Sequence, residues 1–162
     1  MSATVANRTN RFFRPGTTRI VIMPTVVAST LIPTRSEINA GKDVSLNVAD
    51  VGGFTVTGAK IDTADWGSRV VTNVAGRISL DDSSLTFWAD SAGADARADF
   101  ALDQVVYVAF MDAGDVPTKK MDVYKTQVLS VSSTKSGDAA AQVVVNLALK
   151  DYADQVTIPA AA

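Results

Sequence analysis

Apolar and polar residues alternate with a period of two over much of the chain, which is the spacing that half-buried β-strands produce. The segment 105–111 differs, because it is hydrophobic almost without interruption and is therefore typical of a strand covered on both faces. Strands are predicted at residues 18–23, 44–48, 54–58, 69–74, 77–80, 85–88, 105–111, 123–131 and 143–150, with one more edge segment at 156–158.

One segment has the pattern of a helix. Ser91 is a suitable N-cap and alanine recurs after it as far as Leu102, so a short α-helix is predicted over residues 91–102. Between the predicted strands, the chain is rich in the small and polar residues that favour turns. The sequence predicts a long connection at 25–42, an exposed loop at 59–68, a turn at 75–76 and a hairpin connection at 81–84.

Many short strands, tight turns and one helix predict a mainly β protein. Its fold class is a β-sandwich or barrel-like fold with one short flanking α-helix and extended termini. Residues 1–17 are polar, lack a sustained period and contain Pro15 and Gly16, so they are predicted to form an extended N-terminal arm. The remainder, 18–162, shows no internal repeat or linker and is predicted to be a single domain.

The composition narrows the chemistry that the chain can perform. Of its 162 residues 47% are hydrophobic, which is enough for one packed core, and neither cysteine nor histidine is present. Without cysteine and histidine, the chain can have no cysteine nucleophile and no histidine base, and most types of zinc or iron site are excluded. The sequence therefore predicts a protein that is not an enzyme, with no catalytic residues, cofactor, metal or small-molecule substrate. A carboxylate hydrolase is the one enzyme class left open.

Charge is distributed unevenly along the chain. The first 36 residues contain arginines and no acidic residue, whereas all 17 acidic residues lie in the remainder. A basic arm on an acidic body can bind nucleic acid or the acidic body of a neighbouring copy. The overall pI near 5.0 argues against nucleic-acid binding as the main function.

Three pairs of aspartates are the candidates for acid–base chemistry or calcium binding. They are Asp62 with Asp65, Asp81 with Asp82, and Asp112 with Asp115. None has the ligand spacing of a calcium loop. All three pairs lie in predicted turns, where an aspartate accepts hydrogen bonds from its own backbone, so turn formation is the favoured interpretation.

The aromatic residues point to contact surfaces. Trp66 lies in the predicted exposed loop, where a large aromatic side chain marks a protein–protein contact. Phe12 and Phe13 lie in the arm and are candidate anchors on a partner. Trp88 lies in a predicted strand and is expected in the core.

The order of short motifs along the chain resembles the major tail tube proteins of long, non-contractile-tailed phages. The resemblance covers most of the chain, and it depends on the succession of motifs because no single motif has a catalytic rationale. The motifs are residues 33–41 (PTRSEINAG), 53–54 (GF), 61–65 (IDTAD), 76–77 (GR), 82–90 (DSSLTFWAD), 114–117 (GDVP), 121–123 (MDV) and 156–159 (VTIP).

This resemblance implies a β-sandwich with a flanking helix that assembles with copies of itself. Sixfold rings, in which strands from each copy join an inner β-barrel, would stack into a tube with other phage tail proteins. The tube would be part of the virion tail, made in the cytoplasm of a bacterial host. Double-stranded DNA would pass through without specific binding, and an acidic lumen that repels phosphates is one hypothesis for how it slides.

Assembly contacts are expected in the loop 59–68, the connection 25–41 and both termini. The candidate contact residues are Arg8, Arg11, Phe12, Phe13, Arg14, Arg35, Glu37, Asp62, Asp65, Trp66 and Arg69.

Two other structural functions fit the same sequence features. One is the inner tube of a contractile tail or of a related injection system, whose subunit is similar. The other is a capsid decoration or head–tail connector protein, which would form trimers or single rings and not extended tubes.

Overall fold

The computed structural model describes residues 9–160, which form one curled seven-stranded sheet and a separate two-stranded hairpin. Two short helices lie within these residues, α1 (Arg35–Ala40) and α2 (Ala96–Asp99). The strands are β1 (Arg19–Met23), β2 (Lys42–Asp43), β3 (Val48–Gly52), β4 (Val56–Thr63), β5 (Thr72–Leu80), β6 (Ser83–Trp88), β7 (Val105–Met111), β8 (Lys120–Thr134) and β9 (Gln142–Thr157).

The predicted mainly β fold class is confirmed, with 48% of residues in strands and 7% in helices. The large sheet has the order β2-β1-β7-β8-β9-β6-β3, and every neighbouring pair is antiparallel. β8 and β9 lie at its centre and pair from Thr134 opposite Gln142 to Lys120 opposite Thr157. The second sheet contains only β4 and β5. No helix in residues 9–160 is long and apolar enough to cross a membrane.

One face of the large sheet, the α2 face, is packed against α2 and the loop that follows it. Alternate residues of the strands point to this face, so the period-two pattern of the sequence becomes a buried layer. Phe87 and Phe100 stack at a ring-centroid distance of 5.6 Å within it. The buried residues of the α2 face are Ile20, Val44, Leu85, Phe87, Ala96, Phe100, Val106, Val108, Val128, Val143, Val145 and Leu147.

The opposite face, the α1 face, is covered over only part of its area. Val26 and Leu31 from the connection between β1 and α1, together with Ile38 of α1, form its cover. The sheet residues buried beneath them are Val21, Met23, Ala109, Met111, Met121 and Val123, joined by Val156 and Ile158 near the end of the chain. β7 therefore has buried side chains on both faces, as its continuous hydrophobicity predicted.

The predicted helix over 91–102 is wrong in extent, since only Ala96–Asp99 is helical. Asp95 is the N-cap and accepts a hydrogen bond from the Arg97 amide at 3.0 Å. Gly93 before it has a φ of 79°, which the helix cannot accommodate, and Phe100 is already extended. Recurrent alanine raises helix propensity but provides no apolar stripe to hold a longer helix on the sheet.

The connection 25–42 contains a helix that was not predicted. Thr34 caps α1 by accepting a hydrogen bond from the Glu37 amide, while the Glu37 carboxylate accepts one from the Thr34 amide at 2.6 Å. This capping box fixes the start of α1 at Arg35, with the cap Thr34 directly after Pro33.

The predicted strand over 44–48 is also wrong. The Asn47 and Val48 amides both donate to the carbonyl oxygen of Val44, at 2.8 and 3.1 Å, and close a tight turn. Val44 is buried, whereas Leu46 is 95% exposed. Their spacing of two matched a strand, but the turn places them on different sides of the chain.

The region 59–80 differs most from its prediction. Residues 59–63 belong to β4 and not to a loop, and the predicted turn at 75–76 lies in the middle of β5. The pairing register shifts between Gly58 and Lys60, so Gly76 lies at a bulge, where a Cβ atom would be 3.1 Å from the Ala59 carbonyl oxygen.

The segment 81–84 does not connect a hairpin. β5 pairs with β4, whereas β6 pairs with β3 and β9, so this turn leads from one sheet to the other. The predicted edge segment at 156–158 is not a separate strand either, because Val156 and Thr157 are the last residues of β9.

We expect Leu85→Ala to lower the free energy of unfolding by about 2–5 kcal/mol, because Leu85 is 0% exposed at the centre of the α2 face. Urea unfolding followed by circular dichroism measures the change. Leu46→Ala is the matched control, since it removes the same atoms from an exposed position and should change the value by less than about 0.5 kcal/mol. Equal effects of the two substitutions would contradict this assignment of the core.

Candidate assembly surfaces

The most exposed part of the described chain is the β4–β5 unit, residues 56–80, called the long hairpin below. Nearly all of its side chains are exposed, and both of its faces lack a covering layer. Large apolar residues are among them: Ile61, Trp66, Val70, Val71, Val74 and Ile78. A two-stranded hairpin without a core is marginally stable in water, and exposed apolar side chains of this kind mark an interaction surface.

Hydroxyl pairs across the two strands hold the long hairpin together. The Thr63 and Thr72 hydroxyl groups are 2.8 Å apart, and those of Thr57 and Ser79 are also 2.8 Å apart. Lys60 and Asp62 form an exposed ion pair at 3.5 Å on the same strand. Asp62 therefore lies in a strand, and its predicted location in a turn is wrong.

The tip of the long hairpin has the turn chemistry that its sequence predicts. The Asp65 carboxylate accepts a hydrogen bond from the Gly67 amide at 2.8 Å, and the Ser68 hydroxyl accepts one from the Val70 amide at 3.0 Å. These bonds stabilise a turn on which Trp66 is fully exposed. The predicted exposure of Trp66 is confirmed, and Arg69 is exposed beside it.

The base of the long hairpin is fixed to the large sheet by Phe54. Its ring makes edge contacts with Phe110 and Tyr124, at centroid distances of 4.9 and 5.2 Å. The Phe54 amide donates to the Ser83 hydroxyl at 2.8 Å. Gly53 precedes it with a φ of 78°, and a Cβ atom there would lie 2.5 Å from the Asp82 carbonyl oxygen, so only glycine fits.

The N-terminal arm is described from residue 9 onward, so Arg8 lies outside the described residues. Arg11, Phe12 and Phe13 are exposed. Arg14 lies 3.4 Å from the Asp112 carboxylate, which also accepts a hydrogen bond from the Thr18 hydroxyl. The arm is thus attached to the end of β7, while the two phenylalanines before this attachment are open to a partner.

Arg35 and Glu37 have their polar groups occupied within the subunit. Arg35 donates two hydrogen bonds of 2.6 Å to Asp115, and this pairing raises the pKa of its guanidinium. The Glu37 carboxylate accepts from the Thr34 amide and from the Val27 amide at 2.7 Å, and these bonds lower its pKa. Glu37 therefore fixes the connection that covers the α1 face.

Asp95, the N-cap of α2, is the most deeply buried acidic residue among those described. The Arg97 guanidinium donates to it at 2.6 and 2.9 Å, and this pairing holds the pKa of Asp95 well below its ordinary value. It lies beside a surface cleft of about 420 Å³ that Asp90 and Asp99 also line. Within residues 9–160 no group of three or more acidic side chains is placed to hold a metal ion.

Sequence reasoning missed the apolar residues of the long hairpin other than Trp66. Ile61 and Val74 face each other across the two strands, and Ile78 lies on the opposite side. The adjacent pair Val70-Val71 was the available signal, because consecutive side chains of a strand point to opposite faces and a hairpin with one buried face leaves one of the two exposed. Trp88 was expected in the core, but it is partly exposed on the α1 face of the sheet.

Comparisons with known proteins agree with this architecture. The family model described as phage tail tube protein matches residues 5–162. Among solved structures, a chain of the anti-feeding prophage (AFP) baseplate, determined by cryo-EM with 6-fold symmetrisation, superposes with a TM-score of 0.56. The two chains are 9% identical over 94% of this chain and 96% of the other, so the likeness concerns the fold. A search of curated protein sequences gave no match.

We expect Glu37→Gln to lower the free energy of unfolding by about 1 kcal/mol at pH 7, because the charged acceptor of several hydrogen bonds is lost. The native pKa of Glu37 lies below its ordinary value of 4.5, so its contribution is complete above that pH. The contribution disappears as the pH falls through the lowered native pKa. Urea unfolding of both proteins from pH 7 to pH 2 measures this change.

The difference between wild type and Glu37→Gln should therefore shrink as the solution becomes acidic. Asp62→Asn is the control, since its only described ion pair is exposed and long. A Glu37→Gln difference that stays constant down to pH 2 would show that the carboxylate charge is not the cause.

Proposed function

This chain belongs to the phage tail tube protein family, and we propose that it self-assembles into stacked rings that form the tube through which DNA leaves the virion. As a member of this family it is a structural protein of the virion tail and not an enzyme, which confirms the expectation from its composition. Membership also implies assembly with other tail proteins.

The long hairpin is the observation that carries the proposal. It holds exposed apolar side chains from its middle to its tip, and Phe54 fixes its base. Among the described residues its sheet contains two strands and no other element covers it, so a neighbouring copy is the proposed source of a covering layer. A hairpin that docks on a different surface of the next copy is a heterologous contact, and such contacts generate stacked or helical arrays.

The number of subunits in a ring is proposed from the shared fold. The AFP baseplate particle that contains the similar chain is described as 6-fold symmetrised. A chain that matches over nearly its whole length can occupy a ring of the same kind, so hexameric rings are the proposed unit.

The arm adds a second, electrostatic contact. Arg11 and Arg14 lie beside the exposed Phe12 and Phe13, while the acidic residues lie after residue 36. A basic aromatic arm on one copy and an acidic surface on the next are complementary and non-identical, as a heterologous assembly requires. The same overall acidity, with a net charge of −2, favours passage of DNA without specific binding.

The tail type has two candidates. The motif order resembles proteins of long, non-contractile-tailed phages, with the subunit made in the host cytoplasm. The inner tube of a contractile tail or of a related injection system uses a similar subunit and is the alternative. A surrounding sheath on isolated particles discriminates between them. A capsid decoration or connector role has no support from a tail tube family.

Negative-stain electron microscopy of the purified wild-type protein, at rising concentration, should show rings or hollow tubes of uniform diameter. Trp66→Ala should leave a folded subunit but raise the concentration needed for assembly by roughly 10-fold or more, because a buried interface tryptophan contributes about 2 kcal/mol or more. The exposed Leu46→Ala, outside the long hairpin, should assemble like the wild type.

Comparison of the wild type, Trp66→Ala and Leu46→Ala tests whether the chain forms tubes and whether the long hairpin contributes to them. Stable wild-type trimers without rings would favour a decoration protein. Tubes of Trp66→Ala at the wild-type concentration would remove the long hairpin tip from the assembly contact.

Deleting residues 1–13 should leave a folded subunit that forms tubes poorly, because Arg14 and its contact with Asp112 remain while the exposed phenylalanines are lost. Sedimentation of assembled material, with circular dichroism as the check on folding, measures the effect. Phe12→Ser with Phe13→Ser in the full chain separates the aromatic contribution from the charge. Normal polymerisation of the deletion variant would show that the arm is not an assembly element.

A further inference from the structure

The base of the long hairpin lies beside two carboxylates that face each other across β8 and β9. Met121 and Val123 of β8 point to the α1 face, so Asp122 between them points to the α2 face. There it pairs with Phe110 of β7, one of the two residues whose rings hold Phe54. A charged group is thus placed at the margin of the apolar contact that fixes the hairpin.

An irregularity in the β8–β9 pairing brings the second carboxylate to the same place. The register shifts by one residue between Met121 and Val123. Asp154 and Gln155 of β9 therefore lie opposite the single residue Asp122, which makes this position a β-bulge. Gln155 has a φ of 56°, and its amide donates to the Asp122 carboxylate at 2.9 Å. Asp122 is half-buried and Asp154 is exposed, so the two groups, called the carboxylate pair below, exchange protons with the solvent.

The carboxylate pair acts on the ring beside it as well as on itself. Partial desolvation, followed by the charge of Asp122, raises the pKa of Asp154. Burial, followed by the charges of Asp122 and Asp154, raises the pKa of the Tyr124 hydroxyl. Tyr124 is 8% exposed, and its ring contacts both Phe54 and Phe110. The carboxylate pair is therefore coupled electrostatically to the aromatic group that anchors the hairpin.

Two cations in this region have other partners. Arg14 is close enough to Tyr124 to oppose the rise in its pKa, but its guanidinium lies 3.4 Å from the Asp112 carboxylate. Lys120, on the same strand as the first member of the carboxylate pair, donates to the Thr157 hydroxyl at 2.6 Å. Within residues 9–160 no ion pair neutralises the carboxylate pair.

Two further titratable groups face the base of the hairpin. Tyr152 lies opposite Tyr124 in the β8–β9 register and contributes to the raised pKa of Tyr124, after the larger causes already given. The Asp81 carboxylate accepts a hydrogen bond from the Thr55 hydroxyl at the other side of the base. Because protonation of Asp81 also changes the base, a test of the carboxylate pair must compare variants at the same pH.

We infer that the carboxylate pair, Asp122 and Asp154, is a pH-sensitive switch at the base of the long hairpin, in which uptake of one proton strengthens the anchoring of Phe54. When both groups are charged, like charges lie opposite each other and must be hydrated beside the anchoring rings. When one group is protonated, the repulsion is removed and its hydroxyl can donate a hydrogen bond to the other carboxylate.

The sign of the effect follows from the raised pKa of Asp154. Its native pKa lies above the ordinary value of 3.8, so the cost of the charged form is complete above the native pKa. The cost disappears as the pH falls below 3.8. This contribution is opposite in sign to that of Glu37, whose pKa is lowered and whose stabilisation is lost in acid.

The switch is a property of the subunit, whereas its effect on assembly rests on the proposed function. There the long hairpin is a contact between copies, and a contact is weakened when its element must first be ordered. Protonation of the carboxylate pair therefore favours assembly by fixing the base of the hairpin in advance.

Hydrogen exchange of the free subunit, followed by NMR, measures the switch. The Phe54 amide, bonded to the Ser83 hydroxyl, and the Asp81 amide, bonded to the Thr55 carbonyl oxygen, report on the base. Their protection factors compare observed with intrinsic exchange rates and so remove the direct effect of pH. Circular dichroism at each pH checks that every variant is folded.

Asp154→Asn should raise these protection factors above those of the wild type at pH 7 by roughly 1.5- to 5-fold, the range that corresponds to removal of a like-charge pair across two strands. At pH 3 the difference should vanish, because the wild-type group is then protonated. Asp122→Asn should act in the same way, since its side-chain oxygen can still accept from the Gln155 amide. Asp151→Asn is the matched control, because Asp151 lies opposite Lys125 and not opposite an acid.

The outcomes separate this inference from the proposed function. Wild-type protection factors in Asp154→Asn at pH 7 would overturn the switch, and so would an increase of equal size in Asp151→Asn. In sedimentation assays at pH 7, Asp154→Asn should form tubes at a lower concentration than the wild type. A wild-type protein that forms no ring or tube would remove the proposed function, while the exchange result on the free subunit would still decide the switch.

Discussion

The antiparallel pairing of β8 and β9 is the interaction on which the rest of the structure depends. β7 and β1 are added to one side of this pair, and β6 and β3 to the other. β7 pairs with only part of β8, and β6 with only part of β9, because β8 and β9 are 15 and 16 residues long and their neighbours are much shorter. One half of the sheet is thus buried on both faces, and the other half is left with an open face and open edges.

This division leaves one half of the continuous sheet packed on both faces and the other half packed on one face. The half around β7 contains the α1-face core under Leu31 and Ile38, and Glu37 holds that cover in place. The half around β6 has a single buried face. Its polar side chains and backbone groups are therefore exposed without disturbing the packed half.

The sequence predicted the strands whose burial imposes a hydrophobic pattern, and it missed elements that are exposed or short. The strand at 105–111 was located correctly because both of its faces are packed, so that all seven of its residues are hydrophobic. The long hairpin has no buried face, so β4 has no period-two signal, and Gly76 resembled a turn although it marks a bulge. α1 is only six residues long, and its Thr34–Glu37 capping box was not recognised because Pro33 directly before it suggested an irregular connection. Trp66 was identified because an aromatic residue in a polar segment needs no tertiary information to stand out.

The fixed base of the long hairpin also has a mechanical consequence. The Phe54 ring packs against Phe110 and Tyr124, which also contact each other, so a force on the hairpin tip would act on the packed sheet and not on a loop. The hairpin between tip and base has only cross-strand bonds to resist bending. In the proposed assembly, contacts made through the hairpin would join rigid subunits by less rigid links, so that bending would occur between subunits and not within them.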